Sequence, residues 1–270
     1  GVLDPASIED YVSLGGYGAL ARVLEQMTPE QVIEEVLAAR LRGRGGAGFL
    51  TGTKWRLCRQ SPGSPKYIIC NADEGDPGAY MDRSLMEGNP HRVLEGMIIG
   101  AYATGASYGF VYIRNEYPLA VQHLRRAIRQ ATELGLLGPR ILGSDFSLSI
   151  EIRLSSGAFV CGEETALMAS IEGHAGEPRP RPPFPTTRGL WGCPTCINNV
   201  ETWANVPLVL DRGAAWFSGL GSAESGGTKV FSLVGKVRNT GQVEVRMVAT
   251  LGHIVMDIGG GIPKGKSFKA

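Results

Sequence analysis

Three short apolar runs, separated by stretches of helical periodicity, constrain this chain more than any other feature. They are residues 67–70 (Tyr-Ile-Ile-Cys), residues 108–113 (Tyr-Gly-Phe-Val-Tyr-Ile) and residues 148–154, where Leu148, Ile150, Ile152 and Leu154 alternate with smaller or charged residues. Each reads as a strand. Between and around them lie amphipathic stretches with helix signals. Thr28-Pro29-Glu30-Gln31 supplies an N-cap, a proline at the first helical position and a capping-box glutamine. Val32, Ile33, Val36, Leu37 and Leu41 then recur at helical spacing, with Gly43 as the expected stop. Asn89-Pro90 opens a helix through Leu94, Met97, Ile98 and Tyr102; residues 118–134 form another, ended by Gly135; residues 165–171 form a short one, ended by Gly173. A further helix is expected over 199–210. Alternation of strand and helix predicts an α/β fold, a mainly parallel sheet covered by helices. Ligands in such folds lie outside the carboxyl ends of the strands, which directs attention to the loops after Cys70 and after Leu154.

Residues 1–27 carry turn signals (Leu14-Gly15-Gly16-Tyr17-Gly18) and are expected to be an irregular strap. Residues 176–189, rich in proline and arginine, cannot be regular structure. After Gly219, residues 221–227 resemble a linker, followed by β-like runs at 229–237 and 243–247 and a short helical stretch at 250–258. Two units are therefore expected, residues 1–220 and 228–270. A net charge of +1 gives no bulk basicity for nucleic acid or an acidic membrane surface. No run approaches the length of a membrane span, and no charged-then-apolar leader opens the chain, so a cytoplasmic protein without membrane insertion is expected. The five cysteines are an odd, scattered set, unlike a secreted disulfide framework. Because the chain starts at Gly1 and stops soon after a glycine-rich stretch, it reads as a fragment.

Four motifs carry the chemistry. In Arg42-Gly43-Arg44-Gly45-Gly46-Ala47-Gly48-Phe49, the glycines at 43, 45 and 48 have the G-x-G-x-x-G spacing that lets backbone N–H groups approach phosphate oxygens. Here the spacing follows a helix rather than a strand, which argues against a standard Rossmann phosphate site. A purely structural turn is the competing reading. Arg42, Arg44 and Lys54 favour phosphate by surrounding the loop with positive charge. The second motif, Asn71-Ala72-Asp73-Glu74-Gly75-Asp76-Pro77-Gly78, puts three carboxylates directly after a strand. They suit hydrogen bonds from ribose and ring N–H groups; a calcium-loop spacing is absent, and a solvated turn is the bland alternative.

The third motif, Gly157 to Thr165, joins the third strand to a helix whose N-terminal N–H groups would favour an anionic or electron-rich ligand. On these residues alone, Glu163 and Glu164 are better read as first-turn acids. The fourth contains Cys193-Pro194-Thr195-Cys196 and Asn198-Asn199. No second cysteine pair lies at zinc-ribbon spacing, so a metal site is not expected. The two amides suit a heterocycle or phosphate. His91, His123, His174 and His253 lack ligand-like neighbours, and no nucleophile elbow supports hydrolysis.

In order along the chain, RGRGGAGFLTGTK (42–54), NADEGDPG (71–78), CGEETALM (161–168), PPFP (182–185) and INNVET (197–202) resemble the flavoprotein subunit of respiratory complex I and of NAD-linked hydrogenases and formate dehydrogenases. The resemblance covers nearly the whole chain, and NADEGDPGAYMDR is most similar to the hydrogenase and formate-dehydrogenase branch. It implies a Rossmann-like domain holding FMN, with NADH stacked on the flavin. By position, it places Gly43, Arg44, Gly45, Lys54, Asn71, Asp73, Gly162, Glu163, Glu164, Asn198 and Asn199 on FMN, with Glu164 at the reacting end. It places NADH against Phe49, Asp76, Glu164, Arg181 and Phe184. Leu50, Leu57, Phe159 and Arg181 depart from the residues frequent in the family. The tail from Lys229 resembles the start of a β-grasp (ubiquitin-like) domain. The resemblance further implies a [4Fe–4S] cluster in the remainder of the parent, a thioredoxin-like [2Fe–2S] subunit and a larger iron–sulfur subunit as partners.

The expected activity is hydride transfer from NADH to flavin, then single-electron transfer to an iron–sulfur centre. Asp76 is expected to favour NAD over NADP by bonding the ribose and repelling a 2′-phosphate. A non-catalytic FMN- or partner-binding module is the first rival. A flavin-free NAD dehydrogenase is the second.

Overall fold

A computed structural model describes residues 3–155 and 157–269. Its N-terminal quarter is more regular than the glycine turns suggest. Residues 1–27, expected as an irregular strap, contain helices α1 (Ile8–Ser13) and α2 (Gly18–Gln26) over most of their described length. Ser7 caps α1 by accepting from the Asp10 N–H, and Tyr17 enters α2 from a left-handed conformation at φ 60°. Buried apolar side chains, among them Ile8, Leu20 and Val23, and buried polar contacts hold both. The Tyr11 hydroxyl donates to Glu95, whose other carboxyl oxygen accepts from the Leu20 N–H at 3.1 Å. The Tyr17 hydroxyl meets His91 Nδ1 at 3.0 Å. Such contacts join residues about 75 positions apart, and in α2 they add to an apolar face of Leu20, Val23 and Leu24 at helical spacing that the glycine turns before it obscure.

Helix α3 (Pro29–Ala38) shows the expected capping box between Thr28 and Gln31. It stops earlier than predicted. Arg40, at φ 54°, turns the chain left-handed, and Gly43 belongs to the following loop. That loop leads into α4 (Thr51–Gln60), whose polar sequence has no clear apolar stripe. Next come β1 (Tyr67–Ala72), α5 (Met81–Gly88), α6 (Pro90–Thr104), β2 (Tyr108–Arg114), α7 (Pro118–Glu133), β3 (Ser149–Ser155) and α8 (Glu164–Ile171). Asn89 caps α6 through its side chain, Pro118 opens α7, and Gly135 turns the chain at φ 68° beyond α7. A fourth strand, β4 (Thr195–Asn199), runs straight into α9 (Val200–Arg212), which α10 (Ala214–Gly219) follows.

The sheet is all parallel, in the order β3-β2-β1-β4. Its central strands are buried in near-continuous runs, as a sheet covered on both faces requires. The larger core lies between one face and α3, α4, α6, α7 and α9, and a smaller cluster of Ile69, Phe110, Tyr112, Leu167, Ile171 and Ile197 lies under α8 on the other. Helices α6 and α9 approach unusually closely. A Cβ on Gly96 would come within 2.0 Å of the Trp203 carbonyl oxygen, and one on Gly100 within 2.3 Å of the Trp203 ring.

Beyond α10 the chain does not form a free linker. Within 221–227, Gly226 donates to the Arg40 carbonyl and Gly227 to the Phe217 carbonyl, and a Cβ on Gly226 would strike the Ala39 oxygen at 2.0 Å. Strands β5 (Thr228–Leu233) and β6 (Gly241–Arg246) then pair as an antiparallel hairpin, followed by a π-helical turn, His253–Ile258. The hairpin is tied to the sheet domain by an ion pair between Lys229 and the buried Glu201.

The close helix contact generates a stability prediction. In Gly96→Ala the new methyl meets backbone rather than a yielding side chain, so α6 and α9 must separate. The expected cost is about 3 kcal/mol, at the upper end for overpacking, read as a lower thermal midpoint; an unchanged midpoint contradicts the packing described.

Candidate functional site

The parallel register sets the site. Pairing of β1 with β4 puts Cys70 opposite Asn198 and Asn71 opposite Asn199, so both motifs end at the same edge of the sheet. Three loops are clasped there. Asn71 Nδ2 donates to the Gly162 carbonyl at 2.8 Å, joining the loop after β1 to the turn before α8, and Asn71 Oδ1 accepts from the Asp73 N–H at 3.1 Å. The Asp73 carboxylate accepts from Arg114 Nη1 at 3.1 Å and from Ser155 Oγ at 2.9 Å, tying the ends of β2 and β3 to the same loop. Burial raises its pKa, while Ser155 and Arg114 act in the opposite direction.

The glycine loop closes on this edge from the other side. Arg42 and Leu50 form an antiparallel bridge, Gly43 donates to the Phe49 carbonyl at 2.9 Å, and Gly46 and Gly48 take φ values of 125° and 65°. Those angles are where glycine is needed. The Arg44 N–H donates to Thr202 Oγ1 at 2.9 Å, and a Cβ on Gly45 would stand 3.0 Å from Asn199 Cβ. The loop therefore rests on the start of α9.

The arginines of this loop do not form the ring of positive charge that the sequence suggests. Arg44 is 3% exposed; its guanidinium donates to the Gly226 and Arg42 carbonyls, and burial lowers its pKa. Arg42 donates to the carbonyls of Glu224 and Gly48. Both brace the loop against residues 224–226. The correction is physical: a guanidinium with several donors goes to unpaired carbonyls within reach. Lys54 remains in the site, donating to the Ile197 carbonyl at 2.9 Å with its Nζ 3.9 Å from Glu164 Oε2.

The three acids of the second motif have three separate environments. Asp73 is clasped as described. Glu74 accepts from the N–H groups of Asp82 and Arg83, capping α5. Asp76 accepts from the Gly78 N–H at 2.7 Å in an exposed turn. Glu163 caps α8 through the N–H groups of Thr165 and Ala166; burial opposes its ionisation, but these bonds and the nearby Arg181 leave its pKa lowered. Glu164 pairs with Arg181. Asn198 Oδ1 accepts from Trp55 Nε1 at 3.0 Å. Asn199 Oδ1 caps α9, and its Nδ2 donates to Asp82 Oδ2 at 2.6 Å. Phe49 and Phe184 are 48% and 56% exposed, leaving ring faces available. Trp55, Asp82, Arg114, Ser155 and Thr202 support the site without a role assigned from the sequence; Asp82 and Thr202 lie within NADEGDPGAYMDR and INNVET, and Trp55 directly follows RGRGGAGFLTGTK.

Among the described residues, three buried side-chain polar atoms have no partner: Arg44 Nε, Thr51 Oγ1 and Asp82 Oδ1. They belong to the glycine loop, to the start of α4 and to the acid bonded to Asn199. Helix α4 opens without a side-chain cap; the Thr51 N–H donates to the Leu41 carbonyl at 2.9 Å, which leaves the N–H groups of Gly52 and Thr53 for an acceptor outside the helix. Backbone N–H groups of a glycine loop and of a helix start, beside the Lys54 ammonium, fit an anionic, polar ligand such as a flavin phosphate. A cavity of about 550 Å³ lies elsewhere, lined by Glu30, Glu34, Arg56, Arg59 and Lys66 among others. Cavity size and site chemistry disagree here, and the chemistry is the better guide, because ion pairs already occupy that cavity's charges.

The Nuo51 FMN-binding domain model matches residues 36–208, more than half of the chain. The chain belongs to this family. It is 56% identical over 270 residues to the NADP-reducing hydrogenase subunit HndC of Solidesulfovibrio fructosivorans, covering all of this chain and 55% of that protein. It is 44% identical over 267 residues to an NADH-quinone oxidoreductase subunit of Escherichia coli, covering 98% of this chain and 60% of that one. Among solved structures, an NAD+-reducing [NiFe]-hydrogenase in the H2-reduced state aligns with a TM-score of 0.80 at 39% identity, over 92% of this chain and 41% of the matched one. The chain thus spans little more than half the length of the curated relatives it matches. No helix among the described residues is long and apolar enough to cross a membrane.

The double use of Asn199 gives a second prediction. Asn199→Ala removes the α9 cap and the donor to Asp82, and the expected loss is about 1–3 kcal/mol in a urea titration. Unchanged stability contradicts the bonding described.

Proposed function

We propose that this chain is the FMN- and NADH-binding module of an NADH:acceptor oxidoreductase. The observation that carries the reading is the meeting of the glycine loop, the Asn71–Asp73 loop, the turn before α8 and the Asn198–Asn199 pair at one end of the sheet, inside the region matched by an FMN-binding family. FMN, when bound, supplies hydride acceptance followed by stepwise release of single electrons. The protein's residues supply position and electrostatics. Backbone N–H groups at Gly45 and at Gly52 and Thr53 in the first turn of α4, with Lys54, hold the phosphate, while Gly43, whose N–H is taken by the Phe49 carbonyl, shapes the loop. Arg44 contributes by keeping the loop folded.

Asn71, Asp73, Gly162 and Asn198 line the flavin's polar edge, with Asn199 fixing the start of α9. Glu163 and Glu164, at the N-terminus of α8, face the end where NADH must approach, with Glu164 the acid nearest the reacting atoms. Arg181 and Lys54 both approach Glu164 and fix its carboxylate. Phe49 and Phe184 offer ring faces to the adenine, and Asp76 its carboxylate to the ribose. A catalytic base is not needed for hydride transfer, so no histidine has to stand in the site. Electrons pass to an iron–sulfur centre, either a [4Fe–4S] cluster in the remainder of the parent or the [2Fe–2S] cluster of a thioredoxin-like subunit, within a larger iron–sulfur assembly.

The purified chain, titrated with FMN, is expected to become yellow, quench flavin fluorescence and lose its visible absorbance when NADH is added without air. A chain that binds FMN but is not bleached by NADH supports the non-catalytic module. A chain that binds NAD and no flavin overturns the proposal. Asp76→Asn is expected to narrow the preference for NADH over NADPH by about tenfold, the worth of one charge-assisted hydrogen bond; an unchanged ratio removes Asp76 from the nucleotide site.

A further inference from the structure

Three buried carboxyl groups face one another behind the proposed pocket. Glu74 is 8% exposed, Asp82 3% and Glu201 3%, and they come from the loop after β1, from α5 and from α9. Two are well supplied with donors. Glu74 receives the N–H groups of Asp82 and Arg83; Glu201 receives the Val230 N–H at 2.9 Å and the Lys229 ammonium. Asp82 has a single donor, the Asn199 amide on Oδ2, and its Oδ1 is buried without any partner. A carboxylate ion needs donors at both oxygens, and an ion left bare in the interior is far more costly than a neutral hydroxyl left bare.

We propose that Asp82 is a positioning residue of the flavin pocket that works as the neutral acid: Oδ2 accepts the Asn199 amide while the proton rests on Oδ1, so that Asn199 stays turned to cap α9 and no third negative charge stands beside an anionic cofactor. The inference rests on the FMN reading for the pocket and the cofactor, while the neutral state of Asp82 and its bond to Asn199 stand without it. The groups that face Asp82 act in the same sense on balance. Burial is the largest influence, Glu74 and Glu201 add repulsion, and the Asn199 bond and Lys229 oppose them without prevailing, so its pKa is pushed well above the usual carboxylate range. Cys70 on β1 and Tyr117 before α7 also face it; burial raises both of their pKa values, so both are neutral beside it. Arg44 lies across Glu201 and serves that carboxylate. Through Asn199, which touches the glycine loop at Gly45, the protonation of Asp82 is linked to the shape of the loop.

The sign of the pH dependence follows. A carboxyl whose folded pKa is raised contributes stability that is complete below its unfolded value and is lost as pH rises through the folded value. Asp82→Asn copies the neutral acid and lacks that loss. Its thermal midpoint is expected to equal or exceed that of wild type near neutrality, with any gap widening as pH rises.

The decisive experiment has two arms. In the first, FMN dissociation constants are read by fluorescence quenching at about pH 6, where Asp82→Asn is expected to bind within about threefold of wild type and Asp82→Ala, which cannot accept from Asn199, at least about tenfold more weakly. Binding weakened by about tenfold or more in Asp82→Asn shows that the negative charge is needed and overturns the proposal. In the second, infrared spectra of the ligand-free wild type with isotope-labelled aspartate are expected to show a protonated-carboxyl band at neutral pH; its absence overturns the proposal. The second arm stands even if Asp82→Asn does not fold. If wild type fails to bind FMN, the functional reading falls while the infrared arm still decides Asp82.

Discussion

The register between β1 and β4 is the constraint on which the rest depends. Placing Asn71 opposite Asn199 brings two loops, separated by more than a hundred residues of chain, to one sheet edge. A one-residue slip would reverse which side chains face the core and which face the site. Strand β4 passes directly into α9, so the register that aligns Asn198 also fixes where that helix begins. The glycine loop then has one place to rest, against Thr202 and Asn199, and its lack of side chains at Gly45 permits the approach. Position in this protein is thus inherited from backbone pairing rather than from a set of converging catalytic side chains.

A second consequence concerns charge. The site is rich in acids and bases, yet most of them serve the fold. Glu74, Glu163 and Asn199 cap helices; Asp73 clasps three strand ends; Arg42 and Arg44 answer unpaired carbonyls. Apart from the side-chain clasp of Asp73, these bonds satisfy backbone N–H groups or carbonyls, and leaving such a group buried without a partner costs more than the bond itself gains. A pocket built this way presents backbone N–H groups and neutral amides to its ligand, with few free charges. That suits a cofactor that carries its own reactivity and needs a fixed, dry position.

Much of this is legible in the sequence because the signals are local. The capping box at Thr28–Gln31, the Asn89-Pro90 start, the Pro118 helix and the apolar runs of β1, β2 and β3 each occupy a few consecutive residues, and each appears where expected. The motif order also leads to the family. The features that sequence reasoning misses are those decided by distant partners. Helix α1 is a short stretch tied down through Tyr11 and Glu95, and the apolar face of α2 at Leu20, Val23 and Leu24 is hidden by the glycine-rich turn that opens it. Strand β4 is only Thr195–Asn199, follows a proline and is buried at all but its last residue, so it has no alternation to read and resembles a cysteine motif instead. Helix α4 is polar along most of its length and carries no periodic signal. The direction of the Arg42 and Arg44 side chains is set by residues 224–226, whose composition is that of a loose linker. Charge along a sequence gives the sign of a loop but not where its side chains point.

The central claim is that segments far apart in sequence share one flavin pocket, and hydrogen–deuterium exchange with and without FMN tests it most directly. The account predicts that FMN slows exchange together at residues 43–54, 71–76, 160–165 and 197–202, leaving residues around the Arg56–Glu34 and Arg59–Glu30 pairs unchanged. Protection confined to one of those segments, or appearing instead at the cavity lined by Arg56 and Arg59, would contradict it.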